Sequence, residues 1–142
     1  GIDGEMRARG VKPDGQCWVV ALEKPSRDVR EVMGVMELGD AAIATSGDYR
    51  HWVDVAGHSY AHTMNPATGA PLCNPLAAVT VVAASCMLAD AWATALMVLG
   101  ETEGPRLAQE RGMDALFVLR EGQQFKEISI VGGQLQAQIE AR

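Results

Sequence analysis

The chain has 142 residues, 48% hydrophobic and 21% charged, with 15 Gly and 6 Pro. That composition excludes wholesale disorder, a collagen and a disulfide-stapled miniprotein, and the length suits one domain with a sizeable core. The net charge is −6, from 12 Lys and Arg against 18 Asp and Glu, and aromatic residues are only 5%. With no basic stripe to neutralise phosphates, nucleic acid is not an expected partner. Cys17, Cys73 and Cys86 are an odd number without CxxC spacing. They argue against a disulfide framework and a structural zinc site, and read as buried, inert thiols.

The chain opens at Gly1-Ile2-Asp3-Gly4-Glu5, without Met, in what reads as the middle of a strand. Residues 4–11 and 17–23 are predicted strands flanking the turn Lys12-Pro13-Asp14-Gly15, with Pro and Gly where a tight turn wants them. Residues 29–37 alternate Val around Gly34 and suggest a third strand, and Ala41–Thr45 a short fourth one, stopped by Ser46-Gly47-Asp48. Residues 49–55 and 58–63 read as a hairpin turning at Ala56-Gly57. The turn-dense loop Asn65-Pro66-Ala67-Thr68-Gly69-Ala70-Pro71 follows and continues neither element.

From Leu76 to Gly100 the only charge is Asp90. A membrane span is the wrong reading of this stretch. Its first half is β-branched, Ser85 offers a helix N-cap, and Asp90 would stand uncompensated in hydrocarbon. A strand over residues 77–84 and a helix over Cys86–Leu99, closed by Gly100, are expected instead. A second helix is expected over Glu103–Arg111, capped by Thr102, then a hairpin of 115–119 and 125–130 across Glu121-Gly122-Gln123. The fold class is α+β, a mostly antiparallel sheet with two late helices. Residues 1–130 form the domain and 131–142 a polar tail.

Three constellations offer chemistry. Asp90 and Thr94, at i and i+4, share a helix face among the small residues Ala89, Ala91, Ala93 and Ala95. A carboxylate and a hydroxyl are hard oxygen ligands that suit Mg²⁺ or Ca²⁺. Equally, Asp90 can cap a neighbouring loop's N–H groups while Thr94 bonds back within the helix. His62 ends a strand at the mouth of a rigid loop, a place to hold an imidazole for proton transfer, or simply a surface position. His51 and His58 fall on hairpin positions and carry less. Thr45, Ser46, Gly47, Asp48 and Tyr49 pair hydroxyls with a close-approach glycine, suited to a phosphate or ribose and equally to a turn.

In this order, A-T-S-G-D-Y (44–49), Y-A-H-T-M-N-P-A-T-G-A-P (60–71) and V-T-V-V-A-A-S-C-M-L-A-D-A-W-A-T-A-L (79–96) closely resemble the ApbE-type flavin transferases. These are FAD:protein FMN transferases, also called thiamine biosynthesis lipoproteins. The opening G-I-D-G-E-M-R-A-R-G resembles the family's Gly-Gly-Glu/Asp segment. The resemblance covers most of residues 1–130 and implies the C-terminal portion of the ApbE-like fold. It implies that the N-terminal half of the FAD site lies on polypeptide upstream of Gly1, and that the fragment alone is inactive.

The activity implied is transfer of FMN from FAD to a Thr hydroxyl of a target protein, with release of AMP. Mg²⁺ would bridge the pyrophosphate, held by Asp90 and Thr94 and by a carbonyl of the N-terminal half. His62 falls on the family's proposed base, and Thr45–Tyr49 and Thr68 on its FAD-contacting segments. A flavin-binding or flavin-donating accessory protein without turnover, and an FAD pyrophosphatase, are the competing readings. The resemblance also implies a bacterial periplasmic or inner-membrane-anchored lipoprotein. Three positions depart from the family pattern: Asn65 for Asp, Asp3 for Gly and Ala67 for Arg. Asn65 keeps an Asx-turn role and loses the charge.

Overall fold

The computed structural model describes residues 4–26, 30–48, 52–55 and 58–136, with 52–55 and 58–59 as backbone only. Among the described residues there are ten strands and one helix. They are β1 (Met6–Arg7), β2 (Trp18–Glu23), β3 (Val32–Leu38), β4 (Ala42–Gly47), β5 (Trp52–Val55), β6 (His58–Ala61), β7 (Leu76–Ala83), α1 (Cys86–Glu110), β8 (Asp114–Glu121), β9 (Gln124–Val131) and β10 (Gln134–Leu135). Six strands form one antiparallel sheet in the order β1-β4-β7-β8-β9-β10. The pairs β2–β3 and β5–β6 are separate ribbons. The expected α+β class, mostly antiparallel, is the observed one.

Some local expectations change. The turn at residues 12–15 forms, closed by Gly15 N–H donating to the Lys12 carbonyl at 2.9 Å. The strands flanking it join different sheets, since β1 pairs with β4 and β2 with β3. β4 runs through Ser46 and Gly47, which pair with Val79 and Ala78, where the sequence suggested a stop. The two expected helices are present as the two arms of α1, separated at Gly100 (φ 84°, ψ −173°). Gly100 leaves helical geometry there, as a glycine can at positive φ, and closes the first arm as expected before the second begins. The last hairpin turns on two residues, since Glu121 pairs with Gln124. Residues 131–135, expected in the tail, extend β9 and supply β10.

Side chains alternate across a strand, so the sheet has two working faces. Val79, Val81, Ala115, Phe117 and Ile130 join Ala93, Leu96, Met97 and Ala108 of α1 in the main core. On the opposite face, Leu22 and Met33 of the β2–β3 ribbon pack on Ala78, Leu116 and Val118. Both faces of β7 are therefore covered, which accounts for its apolar run, broken only by Thr80.

Ser85 starts α1 by accepting the Leu88 N–H at 3.3 Å. Asn74 donates to the Met97 carbonyl (3.0 Å) and accepts the Leu76 N–H (3.2 Å), tying the strand start to the helix before its break. No helix among the described residues is long and apolar enough to cross a membrane.

Gly104 packs closely against both the first arm of α1 and the sheet. A Cβ there would lie 2.8 Å from the Leu96 carbonyl oxygen and 3.0 Å from Phe117 Cε1. Gly104→Ala is expected to cost about 1–3 kcal/mol by overpacking and to lower the thermal midpoint by several degrees. An unchanged midpoint would mean that the helix can move off the sheet freely.

Glu127 stands opposite Val118 on the ribbon-covered face, and burial raises its carboxyl pKa above the ordinary 4.5. The folded state then holds the proton more tightly than the unfolded chain. The resulting stabilisation is complete below the unfolded value and lost as pH rises through the folded one. Glu127→Gln should therefore raise the thermal midpoint at neutral pH, with the advantage vanishing below pH 4.5. A pH-independent difference between the two proteins would contradict this.

Candidate functional site

The candidate site is a cavity of about 570 Å³ between the ribbon-facing side of the sheet, β2–β3 and the first turns of α1. That volume is in the range of small-molecule sites. Its apolar wall comes from Val20, Leu22, Met33, Ile43 and Val118. Its polar lining includes Thr45, Ser46, Gly47, His62, Asp90 and Thr94, residues from three separated motifs. Gly4 and Glu5 of the opening segment line it too, Gly4 with a φ of 112° that favours glycine.

β4 delivers its residues to two sides because a strand alternates. Thr45, in register with Thr80 on β7, points to the ribbon side, and the two Oγ1 atoms are 2.8 Å apart. Ser46 points to the helix side, where its Oγ lies 2.9 Å from Thr94 Oγ1. Asp90 and Thr94 both sit on the exposed, cavity-lining side of α1, one turn apart.

Neither structural alternative for the pair, a loop cap by Asp90 or a back-bond by Thr94, is formed among the described residues. Among the described residues, the Asp90 carboxylate caps no loop N–H and pairs with no cation. Thr94 bonds to Ser46 and not back to its own helix.

His62 follows the last residue of β6 and lines the cavity. The loop after it is a closed unit. Leu72 N–H donates to the Thr63 carbonyl at 2.9 Å, and Met64 bridges to Pro71. Inside it Asn65 makes the expected Asx turn, its Oδ1 accepting the Ala67 N–H at 2.9 Å. Asn65 N–H reaches the Ala70 carbonyl and Gly69 N–H the Asn65 carbonyl, both at 2.8 Å. The neutral amide thus serves the turn without the charge of Asp, and the pinned loop fixes the chain where His62 leaves it.

Two expected cofactor contacts stand elsewhere. Asp48 is outside the cavity wall and both its carboxylate oxygens accept from Arg120, at 2.9 and 3.0 Å. Thr68 is exposed on the loop, its Oγ1 accepting the Ala70 N–H at 3.3 Å. Tyr49, Asp3 and His51 lie outside the described residues. Sequence reasoning assigned no role to Glu5, Glu23, Thr80 or Arg120. Glu5 was visible in the opening motif, whereas the Asp48–Arg120 pair spans 72 residues and leaves no local signal.

The electrostatics are one-sided. Three carboxylates, Glu5, Glu23 and Asp90, line the cavity and among the described residues no Lys or Arg does, but Glu23 is ion-paired with Arg30 at 3.5 Å, so Glu5 and Asp90 carry the negative character. Such a wall repels an anion and attracts a cation. Asp90 and Thr94 are hard oxygen donors suited to a divalent cation. Among the described residues no three His, Cys, Asp or Glu side chains gather as a complete shell, so the pair fits as part of one.

The ApbE family model matches residues 1–117. The FAD:protein FMN transferase of Vibrio cholerae serotype O1 is 45% identical over 126 residues, covering 89% of this chain and 38% of that relative. Its counterpart in Escherichia coli K12 is 34% identical over 125 residues, covering 88% and 36%. The crystal structure of Pseudomonas stutzeri flavinyl transferase ApbE, apo form, superposes with a TM-score of 0.75 at 42% identity, covering 94% of this chain and 42% of that one. The ApbE protein of Thermotoga maritima superposes at 0.72 with 32% identity, covering 82% and 38%. The chain spans well under half the length of these relatives.

The Asp48–Arg120 pair is half-buried and bidentate, and Arg120 also lies 6.0 Å from the Phe125 ring centroid. Its hydrogen bond to Asp48 raises the Arg120 pKa further above its ordinary value. Asp48→Ala should cost ~1–3 kcal/mol, between the surface and fully buried cases. In a double-mutant cycle with Arg120→Met the two changes should be clearly less than additive. Full additivity would mean that the pair contributes nothing as a pair.

Proposed function

This chain belongs to the ApbE family, and on that premise we propose that the protein carrying it moves the FMN moiety of FAD onto a threonine hydroxyl of a target protein, releasing AMP. The observation that carries this reading is that His62, Asp90 and Thr94, from separate motifs, line a single cavity. The apolar wall of Val20, Leu22, Met33 and Val118 suits an aromatic ring, and the hydroxyl-rich lining suits phosphates.

In this reading the threonine oxygen attacks the FMN-side phosphorus of FAD. The new P–O bond forms as the phosphoanhydride bond breaks, and AMP leaves with the electron pair. An imidazole nitrogen of His62 takes the proton from the attacking hydroxyl. Thr45, Ser46 and Gly47 line the part where the phosphates would sit, and Gly47 lets backbone approach them. Asp90 and Thr94 would hold Mg²⁺, and the chemistry it would supply there is neutralisation of pyrophosphate charge. The acidic lining supports that assignment, because a pyrophosphate in a cavity lined by Glu5 and Asp90 needs a counter-charge. We place the protein in the bacterial periplasm or as a lipoprotein on the inner membrane, a reading supported by the family resemblance.

The test is to incubate the intact protein with FAD, Mg²⁺ and a target bearing an acceptor threonine, then measure covalent FMN and AMP. Both products are expected in equal amounts. AMP without protein-bound FMN would mean an FAD pyrophosphatase, and neither product with FAD retained would mean an accessory flavin binder. Asp90→Ala should abolish the Mg²⁺-dependent reaction. His62→Ala should slow transfer by about 10²–10⁴-fold while FAD binding is largely kept. Collapse of FAD binding in that variant would make His62 a ligand contact and not a base.

A further inference from the structure

We propose that Ser46 is a positioning residue for Thr94: it accepts the Thr94 hydroxyl proton so that the Thr94 oxygen turns its lone pairs toward a cation beside Asp90. This rests on the reading of Asp90 and Thr94 as a cation site.

A threonine hydroxyl carries one proton and two acceptor lone pairs, and it rotates about a single bond. As a cation ligand it must keep that proton pointed away. On a helix the usual outlet is a carbonyl one turn back, which would aim the lone pairs elsewhere. Thr94 does not take it. Among the described residues its one hydrogen-bond partner is Ser46 Oγ, at 2.9 Å. Either hydroxyl can donate in isolation, but a cation on the Thr94 oxygen occupies its lone pairs and leaves it the donor.

Ser46 is well placed to set this geometry. It lies 48 residues from Thr94, on β4, in register with Val79 of β7. Just beyond it, Asp48 N–H donates to the Ala77 carbonyl at 3.1 Å, and the Asp48 carboxylate is gripped by Arg120. The strand is therefore fixed on both sides of Gly47, and Ser46 adds only one rotor. Partners that orient a metal ligand in this way are typically worth 10–100-fold in metal affinity.

The experiment is Mn²⁺ binding to the intact protein without FAD, followed by electron paramagnetic resonance, with thermal midpoints recorded in parallel. Ser46→Ala should weaken Mn²⁺ binding about tenfold or more at an unchanged midpoint, and Ser46→Thr, which keeps the hydroxyl, should restore it. Asp90→Ala should remove the signal of the site. Wild-type affinity in Ser46→Ala together with loss in Asp90→Ala would overturn the role of Ser46 and leave the cation site standing. Unchanged binding in Asp90→Ala would overturn the cation site itself. An equal loss in Ser46→Thr would also overturn the inference, because the hydroxyl would then not be what matters. If Ser46→Ala does not fold, Ser46→Cys, similar in shape and a weak acceptor, is read by the same criteria.

Discussion

The close seating of α1 on the sheet governs the rest of this structure. It depends on small side chains. Ala89 and Ala93 on the helix and Ala42 and Ala44 on β4 are all at most 1% exposed, and Gly104 leaves no room for even a methyl group. Larger residues at these positions would lift the helix away. Because the helix lies so near β4, a serine on that short strand reaches a threonine on the helix, and the carboxylate one turn earlier opens into the same cavity. Packing density and chemistry are thus one constraint: the alanines that look like filler set the distance across which the polar pair meets.

The second consequence is a division of labour within one strand. β4 presents Thr45 to the ribbon side, tied to Thr80, and Ser46 to the helix side, tied to Thr94, and both line the cavity. Alternation along an extended chain makes this possible, and pairing with β7 on one edge makes it rigid. Asp48 and Arg120 then anchor the strand's exit. A group approaching the polar lining therefore meets hydroxyls already held, beside carboxylates. A cation fits that field, and an anion fits it only in company with one.

Much of this was legible in the sequence where the signal was local. Ser85 as N-cap, the Asx turn at Asn65, the β7 strand and the shared face of Asp90 and Thr94 follow from spacing and residue type, and motif order pointed to the family. What failed was long-range or context-dependent. The Asp48–Arg120 pair left no local signal because its partners are 72 residues apart. Pro105 inside the second arm of α1 gave no warning of how closely that arm returns to the sheet, whereas the break at Gly100 fell where the glycine suggested it. The Ser46–Gly47-Asp48 run read as a stop because turn residues dominate it, and pairing with β7 overrode that preference. Which strands pair across the 12–15 turn was invisible for the same reason, since strand partners are chosen by the whole sheet.

The most direct measurement is a crystal structure of the intact protein soaked with FAD and Mn²⁺, with the metal located by its anomalous signal. The account predicts one peak within coordination distance of an Asp90 carboxylate oxygen and Thr94 Oγ1, with the pyrophosphate of FAD against it and His62 facing the same phosphates. A metal peak away from Asp90 and Thr94, or FAD bound outside this cavity, would contradict it.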